Sequence, residues 1–84
     1  MPTPVSLDRL PPGSDAVIDS LDEPGSMEQR LRDLGFTPGS VVRSLFRSAA
    51  GDPSAFRIRQ TVIALRREDS RHILVYPLDG AQEQ

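Results

Sequence analysis

The chain has 84 residues, 37% of them apolar and 5% aromatic, with eight prolines and no cysteine. That size holds one domain with a core too small to wrap a deep enzyme pocket, and the lack of cysteine excludes disulfide scaffolds, iron–sulfur clusters, thiolate zinc sites and cysteine nucleophiles. The net charge of −2 is unevenly spread: residues 1–28 hold six acids against Arg9, residues 29–75 hold nine arginines against four acids, and lysine is absent.

No apolar run approaches the ~20 residues of a membrane span. Met1-Pro2-Thr3-Pro4 lacks the basic-then-apolar pattern of a secretory signal, so the sequence points to a cytoplasmic protein. Leu7 and Leu10 come first along the chain, followed by Pro12-Gly13, the central pair expected of a type II turn. Residues 14–21 alternate around β-branched centres and predict a strand, with Ala16 and Ile18 on one face.

Residues 26–36 predict a helix. Ser26 stands as N-cap with Gln29 three residues on, the spacing of a capping box. Met27, Leu31 and Leu34 recur on one face, and Glu28 sits in the first turn, where the helix dipole favours negative charge. Gly35 is placed to end the helix in the left-handed conformation, with Phe36 folding back on Leu31.

Thr37-Pro38-Gly39-Ser40 predicts a second turn. Residues 41–48 then alternate as a strand, with Val42 and Phe46 on one face and Arg43 and Arg47 on the other. A loop around Gly51-Asp52-Pro53 leads to a strand over Ala55–Gln60, with Phe56 and Ile58 inward and Arg57 and Arg59 outward. A short strand over Val62–Arg66, one helical turn at Glu68–His72 and a strand over Ile73–Tyr76 complete the pattern, before a polar tail from Pro77. Five short strands, Pro-Gly turns and one inserted helix predict a mainly β domain, a small barrel with an ordered core of about residues 6–77. A closed barrel would also leave no edge strand.

Three segments, in this order and at this spacing, resemble a known family. They are Leu7-x-x-Leu10-x-x-Gly13-x-x-Ala16, then Arg30-Leu31-x-x-Leu34-Gly35-Phe36-x-Pro38-Gly39, then Gly51-Asp52-Pro53 with Ile58-Arg59-x-x-x-Ile63-Ala64-Leu65-Arg66. The chain is similar to the ferrous iron transport protein A family, FeoA, from about Leu7 to Val75. The resemblance implies an SH3-like barrel with a helical insertion after the first strand. It implies a non-enzymatic cytoplasmic accessory of ferrous iron uptake, whose partner is a membrane transporter with a GTP-binding domain. A related domain at the end of metal-dependent transcriptional repressors gives the alternative, an interaction module in metal-dependent regulation. Two positions depart from the family pattern: Gln60 stands where glycine is frequent, and Ala49-Ala50 where proline is frequent.

The residues proposed for partner binding are Arg30, Asp33, Leu34 and Phe36 at the helix end, with Arg57 and Arg59 from the arginine strands. For Leu31, Leu34, Gly35 and Phe36 the competing expectation is structural, pinning and ending the helix. Neither catalytic residues nor a required cofactor are expected. Transient Fe2+ association is open, but His72 with Glu68, Asp69 or Asp79 is too sparse a ligand set. The Gly51-Asp52-Pro53 loop lacks the residues of a phosphate cradle. Arg43, Arg47, Arg57 and Arg59 invite a nucleic-acid reading, which an acidic pI of about 5.2 and few aromatics oppose. The expected partner is therefore a protein, without nucleic acid or membrane insertion, and weak self-association is consistent with the charge asymmetry.

Overall fold

The computed structural model describes residues 3–22 and 25–78. Six antiparallel strands form one sheet: β1 (Val5–Ser6), β2 (Asp15–Leu21), β3 (Val41–Arg47), β4 (Ser54–Ile58), β5 (Thr61–Leu65) and β6 (Ile73–Pro77). Their spatial order is β1-β6-β2-β3-β4-β5. Helix α1 (Ser26–Leu34) is inserted between β2 and β3, and a single turn, α2 (Arg67–Ser70), joins β5 to β6. A 3-10 turn over Leu7–Arg9 follows β1.

The five strands expected are all present, and β1 is added to them. Two residues long, β1 shows no periodicity; it is fixed by pairing Val5 with Val75 and Ser6 with Leu74. Among the described residues the ladder is open at β1 and β5, so hydrogen bonds do not abolish the edges as a closed barrel would. The sheet instead rolls around one core, which joins Leu7 and Leu10 near β1 to Leu65 of β5.

Both Pro-Gly turns form as their residues dictate. Gly13 and Gly39 have φ of 92° and 90°, and the closing bonds are Ser14 N–H to Pro11 O at 3.1 Å and Ser40 N–H to Thr37 O at 3.0 Å. The second turn returns the chain to the sheet. Gly39 N–H donates to Ile18 O and Ile18 N–H to Ser40 O, at 2.8 and 2.9 Å, extending the β2–β3 ladder across the base of the insertion.

Three local expectations are corrected. The N-cap of α1 is Gly25, with Ser26 already helical and no side-chain cap bond, so no capping box forms. The predicted Ala55–Gln60 strand ends at Ile58, because Arg59 and Gln60 both have positive φ, 51° and 71°. They form a two-residue turn that closes the Ile58↔Thr61 pair. In β3 the register against β4 shifts between Ser44 and Phe46. This bulge interrupts the strict alternation, so Val42 and Ser44 are buried while Phe46 emerges 60% exposed.

Candidate docking surface

The end of α1 is built by local chemistry. Phe36 N–H donates to Leu31 O and Gly35 N–H to Arg32 O, both at 3.0 Å, the paired bonds of a Schellman ending. Gly35 sits at φ 113°, a conformation that glycine alone adopts without strain. Phe36 is thereby turned into the core beside Leu31, and both are fully buried. Each such side chain is worth about 1.5–3 kcal/mol of burial. These two residues hold the helix to the barrel.

Leu34 does not join them. It is 38% exposed, against the expectation that it pins the helix. Arg30 and Asp33 are exposed on the same two turns, Asp33 accepting from Gln29 Nε2 at 2.9 Å. Glu28 and Arg32 make an i,i+4 ion pair at 2.8 Å, an exposed contact of about 0.3–0.5 kcal/mol.

Arg59 reaches this helix end from the β4–β5 turn. Its guanidinium Nη2 donates toward Thr37 Oγ1 at 3.3 Å and Ser40 Oγ at 3.4 Å, while those hydroxyls bond each other at 2.9 Å. An added Cβ at Gly35 would meet Arg59 Cδ at 3.3 Å, so the Arg59 stem passes directly over the helix terminus. Arg59 therefore works first as a clamp between hairpin and helix. The sequence signals this grip only by two hydroxyls flanking Pro38-Gly39.

The structure thus brings Arg59 over the end of α1, on whose last two turns Arg30, Asp33 and Leu34 lie exposed. Arg57 lies two residues from Arg59, on the outer face of the sheet. Phe36 is removed from the proposed contact set, because a side chain with no exposure offers no surface. Val41, 53% exposed at the start of β3, follows directly on the Thr37–Ser40 turn that Arg59 grips.

Arg43 and Arg47 are individually occupied. Arg43 makes a two-pronged pair with Asp15 across β2 and β3, at 2.9 and 3.3 Å. Arg47 Nη2 points to the carbonyls of Asp8 and Leu10, at 3.4 and 3.5 Å. With Arg43 neutralised, Arg47 turned to backbone and Arg59 clamping the turn, a continuous phosphate track does not form along these strands.

Asp52 and His72 have structural work. Asp52 Oδ1 accepts the Arg67 N–H at 2.8 Å, satisfying the first turn of α2, and Oδ2 lies 3.9 Å from Arg66. His72 Nδ1 lies 2.8 Å from Asp22 O, and Asp22 N–H donates to His72 O. Among the described residues no group of three or more His, Asp or Glu is placed to hold a metal ion. Asp79, one of the suggested ligands, lies outside the described residues, as does the tail after Leu78. No helix among the described residues is long and apolar enough to cross a membrane.

A rolled antiparallel sheet around one small core, with a helix inserted between its second and third strands, defines an SH3-like domain. The model of the FeoA domain matches residues 5–77, and the chain belongs to the FeoA family. The structure is similar to iron(II) transport protein A from Clostridium thermocellum, at 31% identity and a TM-score of 0.85, covering 88% of this chain and 46% of that one. This chain thus spans about half the length of that relative. It is also similar to the zinc-complexed FeoA of Stenotrophomonas maltophilia, at 29% identity and a TM-score of 0.76, covering 84% and 88% of the two chains. For that SH3 domain protein a role as a bacterial ferrous iron transport activating factor is suggested. A manganese-dependent transcriptional repressor shares the fold at 18% identity and a TM-score of 0.81, over 93% of this chain and 44% of that one. No curated protein sequence matches.

Proposed function

We propose that this protein is a non-enzymatic cytoplasmic accessory of ferrous iron uptake, acting by contact with the cytoplasmic GTP-binding domain of a ferrous iron transporter. Membership of the FeoA family supports the iron-uptake role. The observation that carries the docking surface is Leu34, an exposed apolar residue at the end of a helix that is otherwise anchored by Leu31 and Phe36. Arg30 and Asp33 frame it with opposite charges, and the clamped Arg59 holds the neighbouring turn in one shape, which lowers the ordering cost of binding. Arg57 extends the surface onto the sheet. The repressor-module alternative has the shared fold behind it and no feature of this site.

The test is an amide NMR titration of the labelled protein with the GTP-binding domain of a ferrous iron transporter. Shifts around Arg30–Gly39 and Arg57–Arg59 are expected. Leu34→Asp is expected to leave the spectrum folded, because the side chain is exposed, and to abolish those shifts. Arg30→Glu is expected to weaken them. Normal binding by both variants would remove this surface.

A further inference from the structure

β5 ends the ladder, and its free edge differs from an ordinary solvent-facing one. Thr61-Val62-Ile63-Ala64-Leu65 carries no charge and no proline, and its pairing with β4 runs without a register shift. Edge strands are commonly blunted by lysine, proline or a bulge. The two-residue turn makes Ile58↔Thr61 a hydrogen-bonded pair, and antiparallel alternation then gives Ile63 and Leu65 the remaining bonds to β4. The N–H and C=O groups of Val62 and Ala64 therefore face the open side. Both residues are exposed, Val62 by 56%.

The outer face beside this edge has two distinct rows. Phe46, Ala55 and Ala64 lie opposite one another on β3, β4 and β5, with Phe46 exposed at the far end. Arg43, Arg57 and Val62 form the adjacent row. Asp15 neutralises Arg43, whereas no described carboxylate pairs with Arg57. Arg59 precedes the strand, and Arg66 and Arg67 follow it, with Asp52 the carboxylate beside them at 3.9 Å from Arg66.

We infer that the free edge of β5 accepts an extended segment of another protein as an added antiparallel strand. The chemistry of that segment follows from the rows it would continue. A large apolar residue beside Ala64 covers the small alanine and lengthens the Phe46 row. An acidic residue beside Val62 comes within reach of Arg57, and acidic residues at the ends meet Arg59 and Arg66. Main-chain bonds supply affinity, and the alternating side chains supply selection. A second copy is the poorer occupant: two β5 edges paired antiparallel about Ile63 set Arg59 of one against Arg67 of the other. This edge shares Arg57 and Arg59 with the surface proposed for the transporter, but strand addition is read at the β5 amides, which the transporter reading does not engage, so either can fail alone.

The probe is the capped peptide Glu-Val-Phe-Val-Glu-Thr-Glu, titrated into the full labelled chain. Shifts concentrated at Thr61–Leu65 and Arg57 are expected. Methylating the peptide nitrogen of the phenylalanine removes a ladder bond and is expected to weaken binding about tenfold or more. Replacing the glutamates by glutamine is expected to weaken it several-fold and flatten its salt dependence. Val62→Pro deletes an N–H that β4 does not use, and is expected to abolish binding while the β1–β3 amides keep their positions. Equal binding of the methylated and unmethylated peptides, or shifts elsewhere with β5 silent, would overturn the inference. So would β5 amides that move with protein concentration alone, which would make a second copy the occupant. If Val62→Pro unfolds, the methylated peptide on the unaltered chain still decides.

Discussion

Replacing Gly35 by alanine separates two physical reasons for a glycine at the end of α1. The first is backbone: φ of 113° lies beyond even the left-handed well of other residues, and holding alanine there costs about 1–3 kcal/mol. The second is space. An added Cβ meets Arg59 Cδ at 3.3 Å and the two Ile58 γ-carbons at 3.6 Å. Only the first contact is tight, and it needs the exposed Arg59 stem to give by only a few tenths of an ångström, so the backbone should dominate. A domain of this size is stable by about 4–8 kcal/mol, and a loss of 1 kcal/mol lowers Tm by about 4–8 °C. Urea unfolding followed by far-UV circular dichroism should therefore show a large loss for Gly35→Ala. A smaller loss is expected for Gly35→Asn, since asparagine tolerates positive φ. Adding Arg59→Ala to Gly35→Ala should recover no more than a few tenths of a kcal/mol. A loss below about 0.5 kcal/mol for Gly35→Ala, within the range of an ordinary surface change, would refute the backbone argument. Near-complete rescue by Arg59→Ala would show that crowding, not φ, requires the glycine.

The remaining predictions concern other parts of the same construction. Phe36→Ala should cost about 3–5 kcal/mol, half or more of a mid-range stability for this domain, and should move the urea midpoint sharply down by circular dichroism. Gln60→Gly should raise stability by about 0.5–1 kcal/mol in urea, because glycine relieves the positive φ of 71° at Gln60. Asp15→Asn should cost under about 1 kcal/mol, since the Asp15–Arg43 pair is largely exposed. That cost should shrink further in 1 M salt, where the Debye length falls to about 3 Å.

The parts of the fold legible in the sequence were those decided within a few residues. Gly35 and Phe36 announce the helix ending because both of its hydrogen bonds close within six residues. Pro12-Gly13 and Pro38-Gly39 likewise carry their turns in their own backbone preferences. What stayed hidden depends on distant partners. The bulge after Ser44 is a property of the β3–β4 register, and it moves Phe46 from the expected core face to solvent. The two-residue β1 exists only because β6 is there to pair with it. At the docking surface the residue types and the helix end were legible. The split between a buried Phe36 and an exposed Leu34 was not, because the helical stripe does not show where the barrel stops. The grip of Arg59 on Thr37 and Ser40 spans about twenty positions and leaves no local trace.

The hydrogen bonds between Ile18 and the Gly39–Ser40 pair close the chain on itself at the root of the helical excursion. In polymer terms, the chain between the end of β2 at Leu21 and Gly39 is an excursion whose ends are tied by the sheet. The entropy of closing such a loop grows only logarithmically, so doubling its length costs about 0.6 kcal/mol. Leu31 and Phe36 are the fully buried core groups this excursion supplies, with Met27 partly buried against the core. Any excursion that returns two apolar plugs to those places leaves the barrel's stability nearly indifferent to its length. The surface a partner would meet is in this way thermodynamically decoupled from the sheet that carries it, and can be redrawn without refolding the domain.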